Sequence, residues 1–129
     1  MAKRRILLAD DNEDFATSLA MLLGAMGHEV RTAYDGLRAV ETAIEFKPEF
    51  AFLDIGLPGL NGYDLARRLR ELPSTKHIVL VAITGWGQEE DKQRALEAGF
   101  DRHLVKPIEP EHIYTIIAAS ERRPARAKD

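Results

Sequence analysis

Six consecutive residues, Ile78-Val79-Leu80-Val81-Ala82-Ile83, are apolar with no polar alternation. A strand with one wet face alternates, so a continuous β-branched-rich run predicts a strand buried on both faces, as in parallel sheets covered by helices on both sides. The rest of the chain repeats the theme. Arg5-Ile6-Leu7-Leu8-Ala9 is a second apolar run, and Phe50-Ala51-Phe52-Leu53 a third, within a strand predicted over Glu49 to Asp54. His28 to Ala33 reads as a partly polar strand and Asp101 to Val105 as a fifth.

Between these runs the apolar period lengthens to that of a helix. Phe15, Leu19, Leu22, Leu23 and Met26 share one face before Gly27. Asp35-Gly36 opens a helix with Leu37, Val40 and Ile44 on one face, stopped by Pro48. Asn61 opens another, carrying Leu65, Leu69 and Leu72 and closed at Pro73. A fourth runs from Gln88 to Ala98, with Glu89, Glu90 and Asp91 where a helix dipole favours acids, and Gly99 ends it. Pro110 suits the first position of the last helix, which bears Ile113, Ile116 and Ile117. Strands alternating with helices require right-handed crossovers and a parallel sheet, so the fold class is α/β, doubly wound. The 129 residues leave room for one such domain. The polar stretch from Ser120 onward, residues 120–129, adds no core and reads as a tail or linker stub after a domain over 4–119.

Composition narrows the function classes. There is no cysteine, hence no disulfide framework, thiolate metal site or cysteine nucleophile, a count that permits a reducing cytoplasm. With 18 Lys+Arg against 21 Asp+Glu, the formal net charge of -3 has the wrong sign for direct nucleic-acid binding. The clusters Arg67-Arg68-Arg70 and Arg122-Arg123-Arg126-Lys128 read as a solvated helix face and a linker. The apolar runs are too short to span a membrane or form a signal-peptide core, so a soluble, cytoplasmic protein is expected.

In an open α/β sheet, ligands bind beyond the carboxyl ends of the strands. Asp10 and Asp11 close the first strand, Asp54 the third, Thr84 the fourth and Lys106 the fifth. Carboxylates gathered at one edge repel each other, and a hard divalent cation answers that repulsion. Oxygen-only ligands suit Mg²⁺ better than zinc, and His28, His77, His103 and His112 show no ligand spacing. A magnesium ion beside a carboxylate, a lysine and a hydroxyl makes a phosphoryl-transfer site. The plainer reading of Asp11, Asn12 and Asn61 is helix capping, and Gly56, Gly59 and Gly62 read mostly as turn residues.

The segments Ala9-Asp10-Asp11-Asn12, Phe52-Leu53-Asp54-Ile55-Gly56-Leu57-Pro58-Gly59-Leu60-Asn61-Gly62, Ile83-Thr84-Gly85 and Val105-Lys106-Pro107 stand in order on the expected elements. Together, over about Arg4 to Ala119, they resemble the receiver domain of two-component response regulators, of the chemotaxis-regulator kind. The resemblance implies a flavodoxin-like five-stranded parallel sheet of order 2-1-3-4-5 with five helices. It implies that Asp54 is the phosphoacceptor, attacking a phosphohistidine to form an acyl phosphate. Asp11, Asp54 and the backbone carbonyl of Gly56 would ligate Mg²⁺ directly, with Asp10 acting through water. Lys106 would pair with one phosphoryl oxygen, the Thr84 hydroxyl would move to another, and Lys106-Pro107 would be cis. The output face would be the fourth helix, fifth strand and fifth helix.

The implied donor partner is a histidine kinase or histidine phosphotransfer protein, and the target is a downstream protein or fused effector. Neither direct nucleic-acid contact nor membrane insertion is expected, and phosphorylation-dependent dimerisation is left open. Residues 85–110 look most like receivers attached to hybrid histidine kinases. His103 stands at the switch position where most receivers carry an aromatic residue, which opens a pH dependence. Gly56 and Trp86 stand where faster family members carry side chains that orient the attacking water, so slow self-dephosphorylation is expected. The alternatives are an unphosphorylated docking receiver and an aspartyl-phosphate phosphatase; the latter is disfavoured because Gly56 replaces its second acid.

Overall fold

The structure is a computed structural model that describes residues 3–85 and 89–121. Ten elements alternate: β1 (Arg5–Ala9), α1 (Glu13–Ala25), β2 (Glu29–Ala33), α2 (Gly36–Phe46), β3 (Phe50–Asp54), α3 (Gly62–Glu71), β4 (Val79–Thr84), α4 (Glu89–Ala98), β5 (Arg102–Val105) and α5 (Pro110–Glu121). The strands form one parallel sheet of order β2-β1-β3-β4-β5, as expected.

The missing alternation in the strands has a direct cause. In β1, Ile6 and Leu8 join Phe50, Phe52, Val81 and Ile83 beneath α1 and α5, where Leu19, Leu23, Ile113 and Ile117 complete one core. Leu7 and Ala9 point the other way, joining Leu53, Leu80 and Ala82 beneath α2, α3 and α4. Every second residue therefore feeds a different core, and no position from Ile6 to Ala9 or along β3 faces water.

Side-chain chemistry sets the helix ends. Asn12 caps α1 by accepting from the Phe15 N–H at 3.1 Å, and Asp35 caps α2 by accepting from Arg38 N–H at 2.8 Å. Gly99 stops α4 at φ 111°, a conformation that disfavours side chains.

Three expectations are corrected. The face of α2 turned to the sheet is Ala39, Val40, Ala43 and Phe46, while Leu37 is 58% and Ile44 41% exposed. Small alanines let α2 approach the sheet closely, and residues seven apart share the opposite side. Likewise Ala16, not Leu22, is buried with Leu19 and Leu23 on α1. The third concerns Arg70. Arg67 and Arg68 are solvated, but Arg70 folds under the end of α3 and donates to Gly99 O, Lys76 O, Ile78 O and Asp101 Oδ2. Asp101 Oδ2 also accepts the Leu80 N–H, so one half-buried pair ties α3, α4, β4 and β5 at the amino edge of the sheet. Strand edges move by one residue at β2, β3, β4 and β5 relative to the sequence reading.

Candidate phosphoryl-transfer site

The carboxyl ends of β1, β3, β4 and β5 converge at the opposite edge, and all five expected side chains meet there. Carboxylate oxygens of Asp10, Asp11 and Asp54 lie within 4.8 Å of one another. Asp10 and Asp54 are buried and Asp11 is exposed. Asp54 Oδ1 accepts the Gly56 N–H at 2.9 Å, and its Oδ2 accepts from Lys106 Nζ at 3.0 Å. Lys106 reaches Asp10 Oδ2 only at 3.7 Å. The Lys106-Pro107 bond is cis, as the resemblance implied. Asp10 Oδ1 accepts the Asn12 N–H at 2.9 Å, whereas its buried Oδ2 has no hydrogen-bond partner.

Burial is the main force on Asp10, raising its pKa above the ordinary value of 3.8. The Asn12 N–H and Lys106 pull it down, while Asp54 and Asp11 push it up. Burial alone would lower Lys106, but its bond to Asp54 and the surrounding carboxylates outweigh that and hold its pKa raised. The lysine is therefore a fixed cation facing an excess of negative charge. A buried carboxylate oxygen that accepts no hydrogen bond, among three all-oxygen ligands, fits a hard divalent cation such as Mg²⁺.

Thr84 is buried at the end of β4, and its Oγ1 lies 3.2 Å from His103 Nε2 on β5. Burial lowers the His103 pKa below 6.5, with Lys92 adding to the effect and Asp91 opposing it. The histidine thus sits where a side chain can sense the threonine. Asn61 is the cap of α3, accepting from the Tyr63 and Asp64 N–H groups at 3.0 Å. Of the residues weighed as caps, Asn12 and Asn61 hold that role while Asp11 stays at the acidic cluster. Trp86, Gln88 and the cluster from Arg122 to Lys128 lie outside the described residues.

Two cavities flank the cluster. One of about 520 Å³ is lined by Asp10, Asn12, Phe15, Lys106, Pro107 and Ile108. The other, about 390 Å³, lies beside Asp54, Gly56 and Thr84 and reaches Tyr63, Asp91 and Arg94. The Arg94–Tyr63 side of this cavity was not anticipated, since a tyrosine and an arginine on two predicted helices carry no spacing that pairs them.

Fold and site together define an α/β protein with an acidic, lysine-bearing pocket at the carboxyl edge of a doubly wound sheet. The model of the response regulator receiver domain matches residues 6–118, and the chain belongs to that family. It is 38% identical over 105 residues, 81% of this chain, to the response regulator PleD of Caulobacter vibrioides. To the DNA-binding dual master transcriptional regulator RpaA of Synechocystis it is 31% identical over 122 residues, 95% of this chain. The chain spans 51% of the length of RpaA and 23% of that of PleD. Among solved structures, the receiver domain of a sensor histidine kinase from Pseudomonas aeruginosa PAO1, with a magnesium ion coordinated in its active site cleft, is 28% identical. That match has a TM-score of 0.82 and covers 92% of this chain and 97% of that one. Among the described residues no helix is long and apolar enough to cross a membrane.

Proposed function

We propose that the chain is a phosphorylation-switched receiver in which Asp54 accepts a phosphoryl group from a phosphohistidine on a histidine kinase or histidine phosphotransfer protein. The observation that carries this reading is the Asp54 carboxylate, bonded by Lys106 and the Gly56 N–H beside Asp10 and Asp11. Asp10, Asp11, Asp54 and the Gly56 carbonyl would hold Mg²⁺, which when bound offsets the charge of the carboxylates and the phosphoryl oxygens.

The remaining chemistry belongs to the chain. An Asp54 oxygen bonds to phosphorus as the bond from phosphorus to the donor imidazole breaks, and the nitrogen keeps the electron pair. Lys106, already beside Asp54, pairs with a phosphoryl oxygen. The Thr84 hydroxyl turns to another, which loosens its link to His103 and shifts the population of the α4-β5-α5 face towards the form that regulates a partner. That partner is a downstream protein target or a fused effector, met in the cytoplasm, and the receiver spans about residues 4–119, with α5 running on to Glu121 and the polar remainder as a tail or linker stub. The role is signalling, not turnover of an external substrate. Gly56 places no side chain near the Asp54 oxygens, so the acyl phosphate hydrolyses slowly; a half-life of seconds at Asp54 would sink that expectation.

Intact-protein mass spectrometry after incubation with acetyl phosphate tests the reading. A single Mg²⁺-dependent adduct on the wild type, labile to hydroxylamine and lost in Asp54→Asn, is expected. No adduct with any phosphodonor or metal would refute it.

A further inference from the structure

Arg94 on α4 carries its guanidinium over the buried ring of Tyr63 on α3, with Cζ 4.3 Å from the ring centroid. No carboxylate of the described residues lies within ion-pair distance of it. A cation seated on an aromatic face keeps a preferred place without being neutralised. Arg94 and Tyr63 also line the 390 Å³ cavity whose other wall is Asp54, Gly56 and Thr84. Gly56 lines the same cavity between them and places no side chain in it. One cavity therefore joins a nucleophilic carboxylate to an unneutralised cation.

We infer that Arg94, seated on Tyr63, is a positioning residue for small acyl-phosphate donors, holding the acyl end of the donor in this cavity while Asp54 takes the phosphoryl group. The inference rests on the reading of Asp54 as phosphoacceptor. An Asp54 oxygen bonds to phosphorus, the bond from phosphorus to the bridging acyl oxygen breaks, and the electron pair departs with the carboxylate product. Negative charge grows on that leaving oxygen, and a guanidinium held on Tyr63 at the cavity wall stabilises it. A donor whose leaving group departs as a neutral amine gains nothing from the same cation. Asp91 lines the cavity too and offsets part of the field, so the effect is modest.

The test compares initial rates of labelling of the full chain by acetyl phosphate and by phosphoramidate, whose leaving group is ammonia. In Arg94→Gln the ratio of the two rates falls about fivefold, the scale of one partly screened charge contact. Arg94→Lys restores part of it, and Tyr63→Phe, which keeps the ring, retains it. Independently of turnover, acetonylphosphonate, an unreactive isostere of acetyl phosphate, shifts the Arg94 side-chain resonance in ¹⁵N NMR spectra of the wild type. A ratio unchanged in Arg94→Gln overturns the inference, as does an equal loss with both donors, which marks a general structural role. A wild type labelled by neither donor removes the Asp54 reading itself, and this inference with it.

Discussion

Replacing Asp10 with Asn makes the metal-free protein more stable while weakening its hold on Mg²⁺. At an effective dielectric of about 20, Asp10 and Asp54 oxygens at most 4.8 Å apart repel by about 3.5 kcal/mol. Lys106 at 3.7 Å returns about 4.5 kcal/mol. Asp11 is exposed and screened, and adds repulsion of about 1–2 kcal/mol. The charges nearly cancel, so the cost of desolvating a carboxylate whose Oδ2 accepts no hydrogen bond decides the sign. Asn keeps an oxygen for the Asn12 N–H and removes the charge, a gain of about 1–2 kcal/mol. For 129 residues that is a rise in Tm of about 4–7 °C.

The pH dependence follows from the raised Asp10 pKa. The folded state binds its proton more tightly than the unfolded state, so stability falls as pH rises from 3.8 through the raised folded value. The advantage of Asp10→Asn is thus fully present at neutral pH and vanishes below 3.8, where both states of the wild type are protonated. Scanning calorimetry in EDTA measures it, and added Mg²⁺ narrows the gap by stabilising the wild type more. A variant melting at or below the wild type in EDTA at neutral pH would refute the reasoning.

At the amino edge of the sheet, Arg70→Met strips partners from Asp101 and three carbonyls and costs about 2–4 kcal/mol in urea unfolding; a loss under 1 kcal/mol contradicts the network. Asp101→Asn costs less, because the amide oxygen still accepts the Leu80 N–H. Gly36→Ala drives a Cβ into the Leu60 carbonyl and costs about 2–3 kcal/mol, seen as a lower urea midpoint, since a backbone oxygen cannot step aside like a side-chain tip. For His103 the pKa is lowered on folding, so the unfolded state binds more protons and stability drops as pH falls from 6.5 through the folded value. His103→Phe removes that drop, and equal pH profiles for the two proteins in chemical denaturation would show that the Thr84–His103 contact does not titrate.

Asp10, Asp11, Asp54, Thr84 and Lys106 were legible because each is a polar residue at the end of an apolar strand, and a parallel sheet sends all such ends to one edge. The same logic left Arg70 and Arg94 unread. Both are arginines on polar helix faces, and nothing local separates a solvated guanidinium from one that reaches a carbonyl or a ring on another element. The sense of α2 was lost for a related reason: period locates an apolar stripe, but Leu37 and Ile44 compete with Ala39 and Ala43 for the sheet. Close approach of the backbones, which the sequence pattern does not measure, settled it in favour of the alanines.

The sequence by itself determined the order of elements, the double-sided burial of the sheet and the gathering of the acidic cluster, because these follow from short-range periodicity and a strong topological rule. Only the tertiary structure decided which oxygens are satisfied: Asp54 between Gly56 and Lys106, Asp10 with one bare oxygen, Thr84 against His103. It alone brought Arg94 over Tyr63 beside Asp54. Hydrogen-bond partners and local fields depend on ångström distances between elements far apart in the chain, and no local pattern of residues encodes those distances.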